Sequence, residues 1–405
     1  MLRNAKIKVL YVTNTDWGLY NFRLAVLQAL RERNFEVSAA AAKGAFWSKV
    51  RGLDRLVELR HYRKSVHPMS DIRLVKEIRT LLLEEQPDIV HFFSIKPTIL
   101  GGLMARPLGV PIVVHTIAGR GSLFSMEGWG AKLLRVLMVN PLYRLVGALS
   151  DLIFFQNDDD RKGFLQQGMI PGSKAGLVPG SGVDTDYFSS KRVDPAKLDR
   201  LRKELGIGRE ATVVTLISRM LYDKGIGLFV AAAREIRNRN SMVRFVLVGP
   251  HDLENPSGIP LERLEEWNRE GIVSYLGRRP DVRELLALSD IVTLPSHYRE
   301  GVPRVLLEAA AMGKPVVTTD MPGCRDAVQD RKTGLLVPPK DPVQLTRAIQ
   351  TLIEDPELRD RFGQAARKLA EDRFEIGRVI DITFRTYCDL LRKKGYPSQA
   401  IPGTD

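Results

Sequence analysis

The sequence predicts an α/β protein built from two doubly wound, parallel-sheet domains, and three observations carry that reading. Its 405 residues exceed the roughly 100 to 200 residues of one ordinary domain. Short apolar runs alternate with helical patterns through both halves, the signature of repeated βαβ units. Midway, from Leu177 through Val178-Pro179-Gly180-Ser181-Gly182 to Asp194-Pro195, the chain turns rich in Gly, Ser, Pro and Asp, as a linker does.

The first half opens with an apolar run, Ile7 to Thr13, closed by the turn residues Asn14-Thr15-Asp16-Trp17-Gly18. Helical spacing follows from Phe22 to Arg33, and Phe35-Glu36-Val37 begins a second strand. The pattern recurs as a helix over Ser70 to Glu85, a strand at Ile89 to Phe93, a helix near Thr98 to Leu108, and strands at Pro111 to Thr116 and Leu152 to Phe155. Beyond the linker a second sheet is expected from Ala211 to Ile217, Arg244 to Val248, Val273 to Leu276, Ile291 to Leu294 and Pro315 to Thr319. Amphipathic helices over Pro342 to Leu369 and Glu375 to Leu391 close the chain. The boundaries expected are 1–187, 188–374, and a tail, 375–405, whose helix returns to the first domain. Ligands of open α/β sheets sit at the carboxyl ends of strands, so two such domains are expected to face a cleft that holds the active site.

Charged residues make up 27% and the hydrophobic set 44%, proportions of a folding globular chain. The net charge of +13 calls for an anionic partner: nucleic acid, anionic lipid or a phosphate-bearing substrate. From Lys43 to Arg79 there are ten Lys and Arg against four acids. From Gly128 to Ser150, Lys132, Arg135 and Arg144 stand among large apolar side chains such as Trp129, Leu133, Leu137 and Leu145, with no acid. That stretch reads as a basic amphipathic segment, either an interdomain helix or, together with the basic cluster, a membrane-docking surface. No uncharged run is long enough to span a bilayer and Met1 to Lys6 leads straight into a strand, so the expected location is cytoplasmic, peripheral to the inner face of the membrane. Cys324 and Cys388 alone give neither a disulfide framework nor metal-ligand spacing. Asp158-Asp159-Asp160 sits between a strand and a helix, where acids favour the helix N-terminus over a metal.

The chemistry concentrates in Ser296 to Pro315. A strand ends, the chain turns through Glu300-Gly301-Val302, and a helix is expected to start at Pro303, with Glu308 two turns inside. Exposed N–H groups at such a helix start suit an anion, and the two carboxylates would stand roughly 8 to 12 Å apart at about 1.5 Å of rise per residue. After the first strand of the second half, Ser218 to Gly225 places Arg219 and Lys224 across a turn. Fixed cations there suit an anionic ligand, the more so one whose charge grows during a reaction.

These segments resemble the family-4 retaining glycosyltransferases of the GT-B fold, with a Glu pair, a small-residue helix and a Gly-Lys-Pro-Val-Val strand entry at Gly313 to Val317. The resemblance implies two Rossmann-like domains, acceptor binding by the first and nucleotide-sugar binding by the second. It further implies that Glu300 contacts the donor hexose and Glu308 the ribose. Backbone N–H groups of Val302, Pro303, Arg304 and Val305 would lie near sugar and phosphate, Pro303 offering none itself, and Arg219 and Lys224 would hold the diphosphate. No metal and no cofactor beyond a UDP-sugar donor are expected, and departure and attack on one face would retain configuration.

Asn14 to Arg23, His91 to Pro97 and Thr116 to Phe124 are similar to bacterial enzymes that extend undecaprenyl-diphosphate-linked sugars. By that similarity the acceptor is a lipid-linked saccharide, and Gly18 lets the backbone approach the donor phosphates, unless it marks an ordinary β-to-α turn. Many family-4 enzymes place a His near the donor sugar. The nearest here is His115, three positions before Ala118, and a buried strand histidine is the other reading. Two rivals are a nucleotide-sugar 2-epimerase on the same fold and a non-catalytic basic module for anionic lipid or nucleic acid. The basic cluster lacks interleaved aromatics beyond Tyr62, so no nucleic-acid partner is expected.

Overall fold

A computed structural model describes residues 6–62, 68–119, 129, 133, 135–253 and 255–403. The chain divides into two compact units, one running to Ser181 and taking in the chain again from Ile376, the other spanning Gly182–Glu375.

In the first unit seven parallel strands stand in the order β3-β2-β1-β4-β5-β6-β7 among the described residues: β1 (Lys8–Thr15), β2 (Glu36–Ala42), β3 (Arg55–Glu58), β4 (Ile89–Phe93), β5 (Ile112–Ile117), β6 (Leu152–Phe155) and β7 (Ala175–Leu177). Every residue of β4 and β5 is buried, as expected where helices cover both faces of a parallel sheet. Register is pinned by aspartates that precede strands. The carboxylates of Asp88, Asp54 and Asp151 accept the N–H of Lys8, Val37 and Val113 on the neighbouring strand, each at 2.8 Å. Asp290 does the same for Val213 in the second unit at 2.7 Å.

The helix Ile376–Lys393 buries Val379, Tyr387, Cys388, Leu390 and Leu391 in the core of this first unit. Its Tyr387 hydroxyl donates to Tyr11 at 3.0 Å. That proton being engaged, His91 Nδ1 donates to Tyr387 at 2.6 Å, and His91 Nε2 accepts from the Thr116 hydroxyl at 2.8 Å. Burial holds the His91 imidazole neutral, with Arg23 and His115 adding to the downward shift.

In the second unit six parallel strands stand in the order β10-β9-β8-β11-β12-β13 among the described residues: β8 (Thr212–Ile217), β9 (Val243–Val248), β10 (Ser274–Tyr275), β11 (Ile291–Leu294), β12 (Val316–Thr319) and β13 (Gly334–Val337). Its core runs from Val214 and Phe229 through Leu306 and Leu307 to Phe374.

Three expectations change. The turn expected at Asn14 to Gly18 is short: β1 continues to Thr15, which caps the helix Asp16–Phe22, and a break at Arg23 separates it from the helix Leu24–Glu32. The helix expected over 342–369 is two, Pro342–Glu354 and Pro356–Leu369, because Pro356 lacks the N–H to continue the first and Asp355 caps the second. The helix after Val302 spans Arg304–Ala311, with Pro303 as its N-cap rather than its first residue. No helix among the described residues is long and apolar enough to cross a membrane.

Candidate active site

Strand order reverses between β8 and β11, and in open α/β sheets the crevice beyond the carboxyl ends of the strands at such a reversal is the ligand site. Both loops that leave these strands carry the residues singled out in the sequence. From β8 the chain runs through Arg219 to a short turn, Tyr222–Lys224, then through Gly225 at φ 76° into the helix Ile226–Arg239. From β11 it runs through Pro295 to Glu300 and enters the helix Arg304–Ala311.

Backbone contacts lace the two loops together. His297 N–H donates to the Asp223 carbonyl at 3.0 Å, and the Ser296 hydroxyl donates to the same oxygen at 3.2 Å. A Cβ on Gly225 would lie 2.0 Å from the Pro295 carbonyl oxygen, so glycine is needed there for both space and a left-handed φ. Gly323, after β12, repeats the device: its Cβ would stand 1.6 Å from the Gly301 oxygen, at φ 85°. Three loops thus converge on Glu300.

The consequence is that Lys224 and Glu300, 76 positions apart in sequence, form an ion pair at 2.5 Å, each side chain 13% exposed. At this burial, removing either partner leaves the other charge poorly solvated. Arg219 is half exposed and pairs with Asp252 at 2.9 Å. On the helix, Arg304 Nε donates to Glu308 Oε1 at 2.8 Å, one turn on. Burial raises the Glu308 pKa and the Arg304 charge opposes that rise. Val302 and Pro303 are buried, Val305 half-buried, and no side chain caps the helix start, so its first N–H groups keep their positive end towards the loop.

Cys324 lies behind this loop. Burial pushes its thiol up to about 12, with the Glu300 charge adding to the rise, so it stays protonated and is no nucleophile. Sequence reasoning missed Asp252, whose only local mark is an acid after the turn that ends β9. It also missed Gly225 and Gly323, whose need appears only once the loops are in contact.

Other expected site residues are placed elsewhere. Gly18 is buried inside the helix Asp16–Phe22, and its N–H donates to the Thr15 hydroxyl at 3.1 Å, which is the work of an N-cap. His115 has no exposed surface, stacks on Phe92, and neither ring nitrogen has a hydrogen-bond partner among the described residues. Burial drops its pKa to about 3. Lys132 lies outside the described residues, as does the side chain of Arg135. Arg144 is exposed and donates to the Gln167 carbonyl at 3.2 Å. In the same stretch of sequence Trp129, Leu133, Val136, Leu137, Met138 and Leu145 are exposed as well. Among the described residues no group of three or more His, Cys, Asp or Glu is placed to hold a metal. In the aspartate run, Asp158 pairs with Arg161 and Lys162, while Asn157 caps the helix.

Comparison with known proteins covers both units. Residues 8–157 match the family model described as glycosyl transferase 4-like, and residues 198–369 match glycosyl transferases group 1. An N,N'-diacetylbacillosaminyl-diphospho-undecaprenol alpha-1,3-N-acetylgalactosaminyltransferase of Campylobacter jejuni is 29% identical over 361 residues, 89% of this chain and 93% of the relative. A UDP-Gal:alpha-D-GlcNAc-diphosphoundecaprenol alpha-1,3-galactosyltransferase of Escherichia coli is 28% identical, covering 82% of this chain and 83% of the relative. Among solved structures, Anabaena HepE in complex with UDP and glucose superposes with a TM-score of 0.77 at 20% identity, over 95% of this chain and all of that one. At that identity the likeness establishes the fold. Neither the epimerase nor the nucleic-acid reading finds support in these matches.

Proposed function

Because the chain belongs to the family-4 glycosyltransferases of the GT-B fold, we propose that it moves a hexose or N-acetylhexosamine from a UDP-sugar to a saccharide carried on a polyprenyl diphosphate, with retention of configuration. The observation that carries the reading is the Lys224–Glu300 pair at the strand-order reversal, beside an uncapped helix start. Two relatives whose names specify diphosphoundecaprenol-linked acceptors cover more than four-fifths of the chain and supply the acceptor class.

Lys224 meets the donor diphosphate by exchanging one anion for another. As the phosphate oxygens take over its ammonium, the Glu300 carboxylate is released to accept hydroxyl protons of the hexose. Arg219, drawn from Asp252, neutralises the second phosphate, and the helix start at Arg304 adds its dipole. Glu308, held by Arg304, accepts the ribose hydroxyls. The charge on the departing diphosphate grows as the glycosidic bond breaks, so these cations bind the transition state more tightly than the donor. Departing on the face the acceptor attacks, the diphosphate takes the acceptor proton. The reaction uses no metal and no cofactor besides the donor.

The exposed apolar side chains from Trp129 to Leu145, with Arg144 among them, support docking on an anionic membrane surface where a lipid-linked acceptor resides. Replacing Lys132, Arg135 and Arg144 by Ala is expected to weaken co-sedimentation with vesicles of phosphatidylglycerol. Unchanged co-sedimentation would contradict that part of the reading.

Glu300→Gln and Glu308→Gln separate the proposed roles. The first is expected to lower kcat by about a hundredfold or more, the scale of one lost transition-state contact. The second is expected mainly to raise the donor KM and weaken UDP binding. Wild-type kinetics for both variants would sink the assignment.

A further inference from the structure

We propose that Trp17, Tyr20 and Phe46, with Lys49 over the Phe46 ring, form a shelf that binds the saccharide diphosphate end of the acceptor. This rests on the reading of a lipid-linked saccharide acceptor given above, and it names a binding surface in the first unit.

Two of the exposed aromatic side chains stand together on one helix of the first unit. Trp17 is 48% exposed and Tyr20 36%. They stand three residues apart on the helix Asp16–Phe22 and therefore share a face. Tyr20 lies against Phe46 with ring centroids 5.4 Å apart at a tilt of 39°, and Lys49 Nζ stands 4.9 Å from the Phe46 centroid. Trp17 meets Phe22 edge to face, with centroids 5.0 Å apart.

The shelf is built rather than incidental. Asp16, 4% exposed, accepts the N–H groups of Gly44 and Phe46 at 2.8 Å each and of Trp17 at 2.7 Å. One buried carboxylate thus fixes both the helix that carries Trp17 and the loop that carries Phe46. Gly44 approaches so closely that a Cβ would stand 2.8 Å from Asp16 Oδ1. A surface ordered in advance loses little freedom on binding.

Position selects the ligand end of the sheet. The helix leaves β1 directly and the Phe46 loop leaves β2, both from carboxyl ends, and β1 is where strand order in this unit reverses towards β4. The chemistry selects the occupant. The C–H faces of a pyranose pack on tilted aromatic rings, while hydroxyls stay in water at the shelf's open side. Lys49 and the exposed Lys43 supply positive charge for a diphosphate. Fixed, tilted rings anchored by one carboxylate fit a sugar better than a bilayer, which asks only for apolar area.

The test uses the full chain and, as probe, N-acetylglucosaminyl diphosphate on a short, water-soluble prenol. Trp17→Ala with Tyr20→Ala is compared with Trp17→Phe with Tyr20→Phe, after matching melting temperatures establish that all proteins fold. The double Ala variant is expected to raise the acceptor KM by about tenfold or more while UDP affinity and donor KM stay within about twofold, and the double Phe variant to restore most of the loss. An acceptor KM within about twofold of wild type in the folded double Ala variant overturns the proposal. So does loss of vesicle binding with an unchanged KM for the soluble probe, which would make the shelf a membrane contact. Should wild type transfer no sugar to the probe, the functional reading fails by itself. Calorimetric titration with the same probe then decides the shelf: saturable binding that the double Ala variant abolishes upholds it, and no binding overturns it.

Discussion

Single residues here earn their place by what surrounds them. His115 is the sharpest case, because its ring is wholly enclosed and burial drops its pKa to about 3, against about 6.5 in an unfolded chain. A folded-state pKa below the unfolded one means the unfolded chain binds the extra proton. The stability this position gives is full above pH 6.5 and is lost as pH falls towards 3. His91, lowered for the same reason, adds to the slope. We expect denaturant unfolding of wild type to lose about 1.4 kcal/mol per pH unit for each such histidine below its unfolded pKa. His115→Leu should flatten that slope without abolishing transfer at neutral pH. A slope unchanged in the variant would show that His115 is not the titrating group. In the sequence, the strand-turn-helix contexts of Arg219, Lys224, Glu300 and Glu308 were legible. Their pairing was not: Lys224 meets Glu300 across 76 positions, a fact of strand order. For Gly18 the sequence left open a phosphate approach and an ordinary β-to-α turn, and in the structure its N–H donates to the Thr15 hydroxyl that caps a helix.

Elements were legible where their pattern is long and pure. The fully buried strands β4 and β5 announce themselves as mostly apolar runs, broken by His91 in the one and His115-Thr116 in the other, while β3, β7 and β13, of three or four residues and partly exposed, carry too little pattern to separate from loops. Pro356 ends the first helix, yet an amphipathic stripe on both sides of it read as one helix. The loops at the site depend on glycines whose necessity is tertiary. Gly225→Ala would place a Cβ 2.0 Å from the Pro295 oxygen at φ 76°, so it is expected to cost about 1 to 3 kcal/mol of stability from backbone strain alone. It should also part Lys224 from Glu300. The expected outcome is a lower melting temperature together with a raised donor KM. A variant that melts and binds UDP as wild type does would show that the two loops are not held by this contact.

At the scale of the whole chain, a net charge of +13 named an anionic partner without choosing among them. The choice came from matching both units to glycosyltransferase models and from relatives whose names specify diphosphoundecaprenol-linked acceptors. The helix Ile376–Lys393 completes the core of the first unit after the second has been traversed, so the two units are tied by sequence as well as by role. The central claim is that this chain transfers sugar from a UDP donor to a polyprenyl-diphosphate saccharide through the Lys224–Glu300 site. It is tested most directly by mass spectrometry of N-acetylglucosaminyl-diphosphate prenol incubated with a panel of UDP-sugars and either wild type or Glu300→Gln. The account predicts a product one hexose or N-acetylhexosamine heavier for wild type, and loss of nearly all of it in the folded variant. An unextended acceptor with every donor, or equal extension by both proteins, would contradict it.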